Sequence, residues 1–112
     1  MAFISANITS YSIKLASEAN ISTVYISVVY LHTTSGTGFL YFCPDDAELP
    51  SNRIRMQHGR PTYYVYYHNR YLPIVIDVLR NEKPITFFFD DSSLYAGIST
   101  GREPVGEEED QD

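Results

Sequence analysis

Apolar and polar residues alternate with two different periods around a central stretch, Leu72–Phe89, which reads LPIVIDVLRNEKPITFFF. Its first half carries apolar residues at i, i+3, i+4 and i+7, the spacing of one helix face: Leu72, Val75, Ile76 and Leu79. On that reading Val75 and Leu79 are buried and Asp77 is exposed. The second half, Ile85–Phe89, is rich in strand-forming residues and lies between a proline and a polar turn.

The ends of the helical pattern carry residues that can start and stop a helix. Asn69 can cap the start with its side-chain oxygen, and Pro73 falls in the first turn, where a missing N–H breaks little. Asn81 suits a left-handed stop, and Pro84 prevents the helix from continuing. The sequence therefore predicts a helix over about Asn69–Asn81.

A strand is the alternative for Leu72–Arg80. Ile74, Ile76 and Val78 are β-branched and would share one strand face. In that case the whole chain is an all-β sandwich or barrel.

Strict alternation predicts the first strands. Ser10–Ala16 places Tyr11, Ile13 and Leu15 on one face of a half-buried strand, and the polar residues Ser17–Asn20 follow as a turn. Thr23–His32 has apolar residues on both faces, which is typical of a central strand. The glycine-bearing turn TTSGTG joins it to Phe39–Cys43, so these two segments form a hairpin.

The second half of the chain holds a further hairpin and a last strand. After a loop over Pro44–Asn52, Arg53–Gln57 and Thr62–Tyr67 alternate on either side of a turn over His58–Pro61. Tyr63, Val65 and Tyr67 then share one face, with Tyr64 and Tyr66 on the other. Leu94–Ser99 is the last predicted strand, and residues 100–102 end this strand.

Without the second hairpin, the order of elements resembles the OB-fold, a five-stranded Greek-key barrel. The resemblance also includes the helix-then-strand run VIDVLRNEKPITFFFDD, which spans Val75–Asp91. It implies a β-rich α+β fold, a small OB-like Greek-key barrel with one helix and an extra hairpin. No binding residue can be carried over from it, because no family motif is present.

Charge is unevenly distributed along the 112 residues, whose net charge is −6. Six acids and no base lie between Glu103 and Asp112, while eight acids and eight bases balance in the rest of the chain. We therefore expect a single domain over residues 1–106 and a disordered acidic tail over residues 107–112.

The single cysteine, Cys43, excludes an internal disulfide and suits a reducing compartment. No signal-peptide pattern opens the chain, and no apolar run approaches the ~20 residues of a membrane helix. The sequence thus predicts a cytoplasmic protein without a membrane partner.

Catalytic and metal-binding signals are weak. Cys43 lacks a family signature, and His32, His58 and His68 are too scattered for a zinc pattern. The run Asp90-Asp91-Ser92-Ser93 is better explained as a turn than as a cation site. We therefore predict no enzyme, no cofactor and no metal ion.

The main binding signal is a basic, tyrosine-rich stretch without carboxylates, in a chain that has ten tyrosines. Its exposed tyrosines predict a non-catalytic binding or assembly module that takes a protein partner or a second copy. A single-stranded nucleic-acid binder with an autoinhibitory acidic tail is the alternative, since such proteins combine cations with aromatic platforms. The candidate residues for either function are Arg53, Arg55, Arg60, Tyr64, Tyr66 and Arg70.

Overall fold

A computed structural model describes residues 3–16 and 25–101, which form one seven-stranded sheet and one α-helix. The strands follow the order β4-β5-β3-β2-β1-β6-β7, and the sheet curls into a half-barrel. All neighbouring strands are antiparallel except β3 and β5, which are parallel. The strands are β1 Phe3–Leu15, β2 Ser27–Thr33, β3 Thr37–Cys43, β4 Arg53–Gln57, β5 Arg60–His68, β6 Ile85–Asp90 and β7 Ala96–Thr100.

Helix α1 spans Leu72–Asn81 and packs on the inner face of the curled sheet. Val75 and Leu79 are buried and Asp77 is exposed, so the predicted helical stripe is confirmed. Apolar residues from β2, β3, β5 and β6 close the core around them, including the fully buried rings of Phe42, Tyr63, Phe87 and Phe89. The β-rich α+β class with one helix is confirmed, and the all-β alternative is wrong because tertiary burial of one stripe outweighs β-branching.

Both predicted helix caps are wrong. Asn69 begins a 3-10 turn, Asn69–Tyr71, and its buried side-chain oxygen accepts no hydrogen bond from the described residues. The helix therefore starts from that turn, without a side-chain cap. Asn81 stays helical and donates its amide to Asp77, while the extended backbone of Glu82 ends the helix. Pro73 does lie in the first turn, as predicted.

Strand β1 starts at Phe3, seven residues before the predicted strand Ser10–Ala16. A β-bulge between Ile8 and Ser10 explains the difference. An extra residue shifts the inward-facing set from even to odd positions, so no single period runs through the strand. The inward sets are Ile4, Ala6 and Ile8 before the bulge, and Tyr11, Ile13 and Leu15 after it.

The two predicted hairpins are confirmed by the pairings of β2 with β3 and of β4 with β5. The second turn is shorter than predicted, because Arg60 and Pro61 already pair with β4. Strand β2 begins later than predicted, at Ser27, and β7 begins at Ala96, because Leu94 has a left-handed backbone (φ +67°) that no strand accommodates.

Parts of four sequence predictions lie outside the described residues. They are the turn Ser17–Asn20, the first two residues of the strand Thr23–His32, the last residue of the predicted strand end at 100–102, and the tail from Glu107. Among the residues that are described, no helix combines the length and apolar character required to cross a membrane.

Candidate functional site

The sheet face turned away from α1 carries a continuous cluster of aromatic rings. Directly paired residues of neighbouring strands point to the same face, and β3 and β5 pair Phe39 with Tyr64 and Tyr41 with Tyr66. Strand β2 adds Tyr30 opposite Phe39. We call this cluster the tyrosine face; its members are Tyr25, Tyr30, Phe39, Tyr41, Tyr64 and Tyr66.

The rings of the tyrosine face pack against each other. Tyr41 lies at the centre, with ring centroids 4.5 Å from Tyr25, 5.3 Å from Tyr66 and 6.2 Å from Tyr64. Tyr30 meets Phe39 edge-on at 5.2 Å. These separations fall in the range that aromatic pairs favour, so the rings support each other's positions. Burial, followed by the neighbouring Tyr25 and other tyrosines, raises the pKa of Tyr41 to about 12.

Three of the candidate arginines border the tyrosine face. Strand pairing sets Arg53 beside Tyr64, Arg55 beside Thr62 and Arg60 beside Gln57, all on the outer side. The Arg53 guanidinium lies 4.4 Å from the centre of the Tyr64 ring, a cation–π arrangement. As a result Tyr64 is only 8% exposed, whereas all three arginines are exposed.

This face is cationic. Lys14 lies on it as well, because Lys14 pairs with Val28 and Val28 pairs with the outward-facing Tyr41. Strands β2, β3, β4 and β5 contain no Asp or Glu, and neither does the β1 segment 8–15. The aromatic cluster is therefore flanked by positive charge, with no carboxylate in those strands to neutralise it.

Arg70 does not share the strand positions of the other candidates. It lies in the 3-10 turn beyond β5, where its backbone N–H donates to Asp45 Oδ1 at 2.8 Å. Its guanidinium stacks over Tyr71, at 5.2 Å from the ring centre. The fold thus brings together five of the six residues proposed from the sequence and leaves Arg70 outside the cluster.

Cys43 and His68 are neighbours, an arrangement that the sequence did not reveal. The parallel pairing of β3 with β5 places them side by side on the outer face. Cys43 is 1% exposed, and this burial raises the pKa of its thiol. A raised pKa disfavours the thiolate that a nucleophile needs. His68 Nε2 is within hydrogen-bond distance (2.9 Å) of the Ala47 carbonyl, so this ring nitrogen has a backbone partner.

The acidic run after β6 forms a turn. Asp90 Oδ1 accepts hydrogen bonds from the hydroxyl and the backbone N–H of Ser92, at 2.9 and 3.0 Å. The hydroxyl bond, followed by the backbone bond, lowers the pKa of Asp90. Within residues 3–16 and 25–101, no three His, Cys, Asp or Glu side chains are grouped so that they could hold a metal ion.

The sequence does not predict that the first hairpin contributes residues to the tyrosine face. Tyr25, Tyr30, Phe39 and Tyr41 supply most of the tyrosine face, and they come from the segment that was predicted only as a hairpin. The sequence shows the alternation of Tyr30 along β2 and of Phe39 and Tyr41 along β3, but the alignment of Phe39 with Tyr64 depends on a parallel pairing between strands distant in sequence. No local pattern predicts that pairing.

Comparison with protein-family models, with curated proteins and with solved structures gives no match for this chain.

Proposed function

We propose that this protein is a non-catalytic binding or assembly module that uses the tyrosine face to bind a protein partner or a second copy. The observation that carries the proposal is the packed, partly exposed aromatic cluster bordered by exposed arginines. Tyrosine and arginine are the residue types enriched at the energetic centres of protein interfaces, because each offers a large contact area with a polar end. A cytoplasmic location and an OB-like Greek-key barrel remain part of this proposal.

The positive charge of the tyrosine face restricts the chemical class of the partner. Arg53, Arg55 and Arg60 border the rings, and the strands that carry them have no carboxylate. A partner segment with aromatic or aliphatic residues flanked by Asp or Glu fits that arrangement, since complementary charge favours encounter and orients the complex. Rim arginines of this kind contribute mostly to association rate and salt dependence.

A photo-crosslinking residue placed at Tyr66 tests the proposal directly. The matched control is the same residue at Tyr95, a tyrosine that is 68% exposed and belongs to no strand of the tyrosine face. We expect a discrete adduct, with a partner protein or with a second copy, from position 66 and not from position 95. Adducts of equal yield from both positions, or none from position 66, would contradict the assignment of this face.

Single-stranded nucleic acid is the second candidate ligand, favoured by the cluster of cations without carboxylates. Phosphates would meet Arg55 and Arg60, and bases would stack on Tyr66. In that case the acidic segment Glu103–Asp112 competes for the same cations. The Arg53 guanidinium covers the ring of Tyr64, which argues against a base platform there.

Oligonucleotide binding separates the two candidates. We expect no binding of a single-stranded oligonucleotide at low salt, by the full chain or by a chain lacking Glu107–Asp112. Salt-sensitive binding that strengthens when the five acids of that segment are removed, and weakens in Arg55→Ala, would favour nucleic acid instead.

A further inference from the structure

The second half of β1 carries apolar side chains on the side of the sheet opposite the tyrosine face. Strand β6 pairs with β1 only over Phe3–Asn7, and β2 covers the other side of β1. The far side of residues 8–15 therefore has no strand partner among residues 3–16 and 25–101. An unpaired strand edge of this kind is a template for the addition of another strand.

The direction of the backbone groups on this edge follows from the pairing with β2. Ala16 N–H donates to the Ile26 carbonyl at 3.2 Å, so the backbone of Ala16 faces β2. Backbone groups of an antiparallel strand alternate between its two sides, and Lys14 and Ser12 therefore face β2 as well. The residues between them present both N–H and C=O to the open side: Tyr11, Ile13 and Leu15.

The same three residues line a trough between β1 and α1. It consists of a cavity of about 540 Å³ beside Tyr11 and Leu79, and a second of about 420 Å³ beside Ile13, Leu15 and Ile76. Leu15 is 69% exposed and Ile13 40%, although both point to the inner, apolar side of the sheet. The edge thus combines backbone groups that have no strand partner among residues 3–16 and 25–101 with exposed apolar side chains.

The other two sheet edges differ from this one. Strand β4 has only five residues and carries the exposed charges of Arg53 and Arg55, and β7 has five residues and ends in exposed Ser99 and Thr100. Short length and charged or polar side chains are the usual protection of an edge against strand addition. The open half of β1 has one charge, Lys14, and that side chain points to the opposite face of the sheet.

We propose that two copies of this chain pair their β1 edges antiparallel about a two-fold axis at Ile13. In this register Ile13 lies opposite Ile13 of the other copy, and Tyr11 opposite Leu15, which gives three hydrogen-bonded pairs. The apolar side chains of both copies then cover each other above the two α1 helices. A register centred on Ser12 is less favourable, because it brings Leu15 opposite Thr9, within the β-bulge.

Charge permits this self-association. Across the axis Lys14 lies opposite Ser12, so no like charges meet in the new ladder. Residues 3–16 and 25–101 contain seven basic and seven acidic residues, so the described part of the chain is neutral and does not repel its copy. An isologous interface of this type needs only one self-complementary patch, which this edge provides.

The register is tested by disulfide trapping of the full chain. Directly opposed residues of a hydrogen-bonded pair have Cα atoms about 5.5 Å apart, within the range that a disulfide spans. Ile13→Cys should therefore give a covalent dimer under mild oxidation. Leu15→Cys, which is more exposed but faces Tyr11 of the other copy, should crosslink no faster than Met56→Cys on β4. Native Cys43 is buried and serves as the background.

Sedimentation or light scattering over micromolar to hundred-micromolar concentration gives an independent readout. We expect a dimer whose dissociation constant rises about ten-fold or more in Leu15→Lys, because each change enters the symmetric interface twice. Met56→Lys, an equivalent change at an exposed site of β4, should leave the dimer intact. Far-UV circular dichroism confirms that each variant is folded.

Each other outcome overturns the inference. A wild-type chain that is monomeric throughout, with no Ile13→Cys dimer, excludes this interface. Dimers that persist in Leu15→Lys but are lost in Tyr66→Ala place self-association on the tyrosine face, which leaves the proposed function standing. A chain that becomes dimeric only after removal of residues 102–112 shows that the full chain does not pair its β1 edges, which also overturns the inference.

Discussion

Asn52 joins two distant parts of the curled sheet, and its removal is the sharpest test of this fold. Its side-chain oxygen accepts the Tyr66 N–H at 2.9 Å, just beyond the point where β4 stops pairing with β5. Its side-chain nitrogen donates to the Leu94 carbonyl at 2.9 Å, in the turn between β6 and β7. One amide thereby links β5, near one end of the strand order, to the turn that leads into the opposite end.

The expected cost of Asn52→Ala follows from the two partners left behind. A half-buried backbone group that loses its hydrogen bond costs about 1–1.5 kcal/mol when water can partly replace the bond. Two such groups, Tyr66 N–H and Leu94 C=O, predict a loss of about 2–3 kcal/mol. That is a substantial fraction of the ~5–15 kcal/mol that stabilises a domain of this size.

Urea unfolding measures this loss. The chain has no tryptophan, so far-UV circular dichroism and tyrosine fluorescence report the transition. We expect the midpoint to fall by about 1–2 M at unchanged slope, since the surface exposed on unfolding stays the same. Amide hydrogen exchange adds a local readout, because the Tyr66 N–H should lose more protection than other β5 amides.

Asn81→Ala is the matched control. Asn81 is exposed and its amide bonds only within α1, to Asp77, so its loss should cost less than about 0.5 kcal/mol. Equal stability of the two variants, with normal protection of the Tyr66 amide, would refute the view that Asn52 links the two parts of the sheet.

Three further predictions concern the helix, the tail and the tyrosines. Val75→Asp buries an unpaired charge and should cost more than about 3 kcal/mol, whereas Asp77→Lys should cost about 0.5 kcal/mol or less; equal costs in urea unfolding would disprove the helical register. Deleting Glu107–Asp112 removes five acids and no apolar side chain, so the melting temperature should move by no more than a few degrees; loss of a cooperative transition would contradict this. Burial first raises the pKa of Tyr41 and Tyr67 from 10.0 to about 12, so the unfolded chain releases these protons at lower pH and stability falls as pH rises from 10 to 12. Ultraviolet titration should show Tyr41 and Tyr67 ionising at higher pH in the folded chain than in the urea-unfolded chain, and ionisation of both near pH 10 in the folded chain would be inconsistent with their burial.

Local patterns in the sequence determined the helix and the hairpins. The stripe from Leu72 to Leu79 fixes which helix face is apolar, and burial of that face decides the conformation even though Ile74 and Val78 favour strands. Alternation in Thr62–Tyr67 separated inward from outward tyrosines for the same reason, because side chains of a strand point to its two faces in turn. These properties depend on the geometry of a few consecutive residues.

Tertiary structure alone decided which of these faces meet. The parallel pairing of β3 with β5 builds the tyrosine face from two separate hairpins, and the bulge in β1 keeps Ile8 and Tyr11 on one side despite their odd spacing. Asn69 was a plausible cap by residue type, yet the preceding strand leads into a 3-10 turn and leaves its oxygen buried. Pairing between distant strands depends on how the whole sheet buries its apolar face. Local sequence patterns therefore do not determine which distant strands pair.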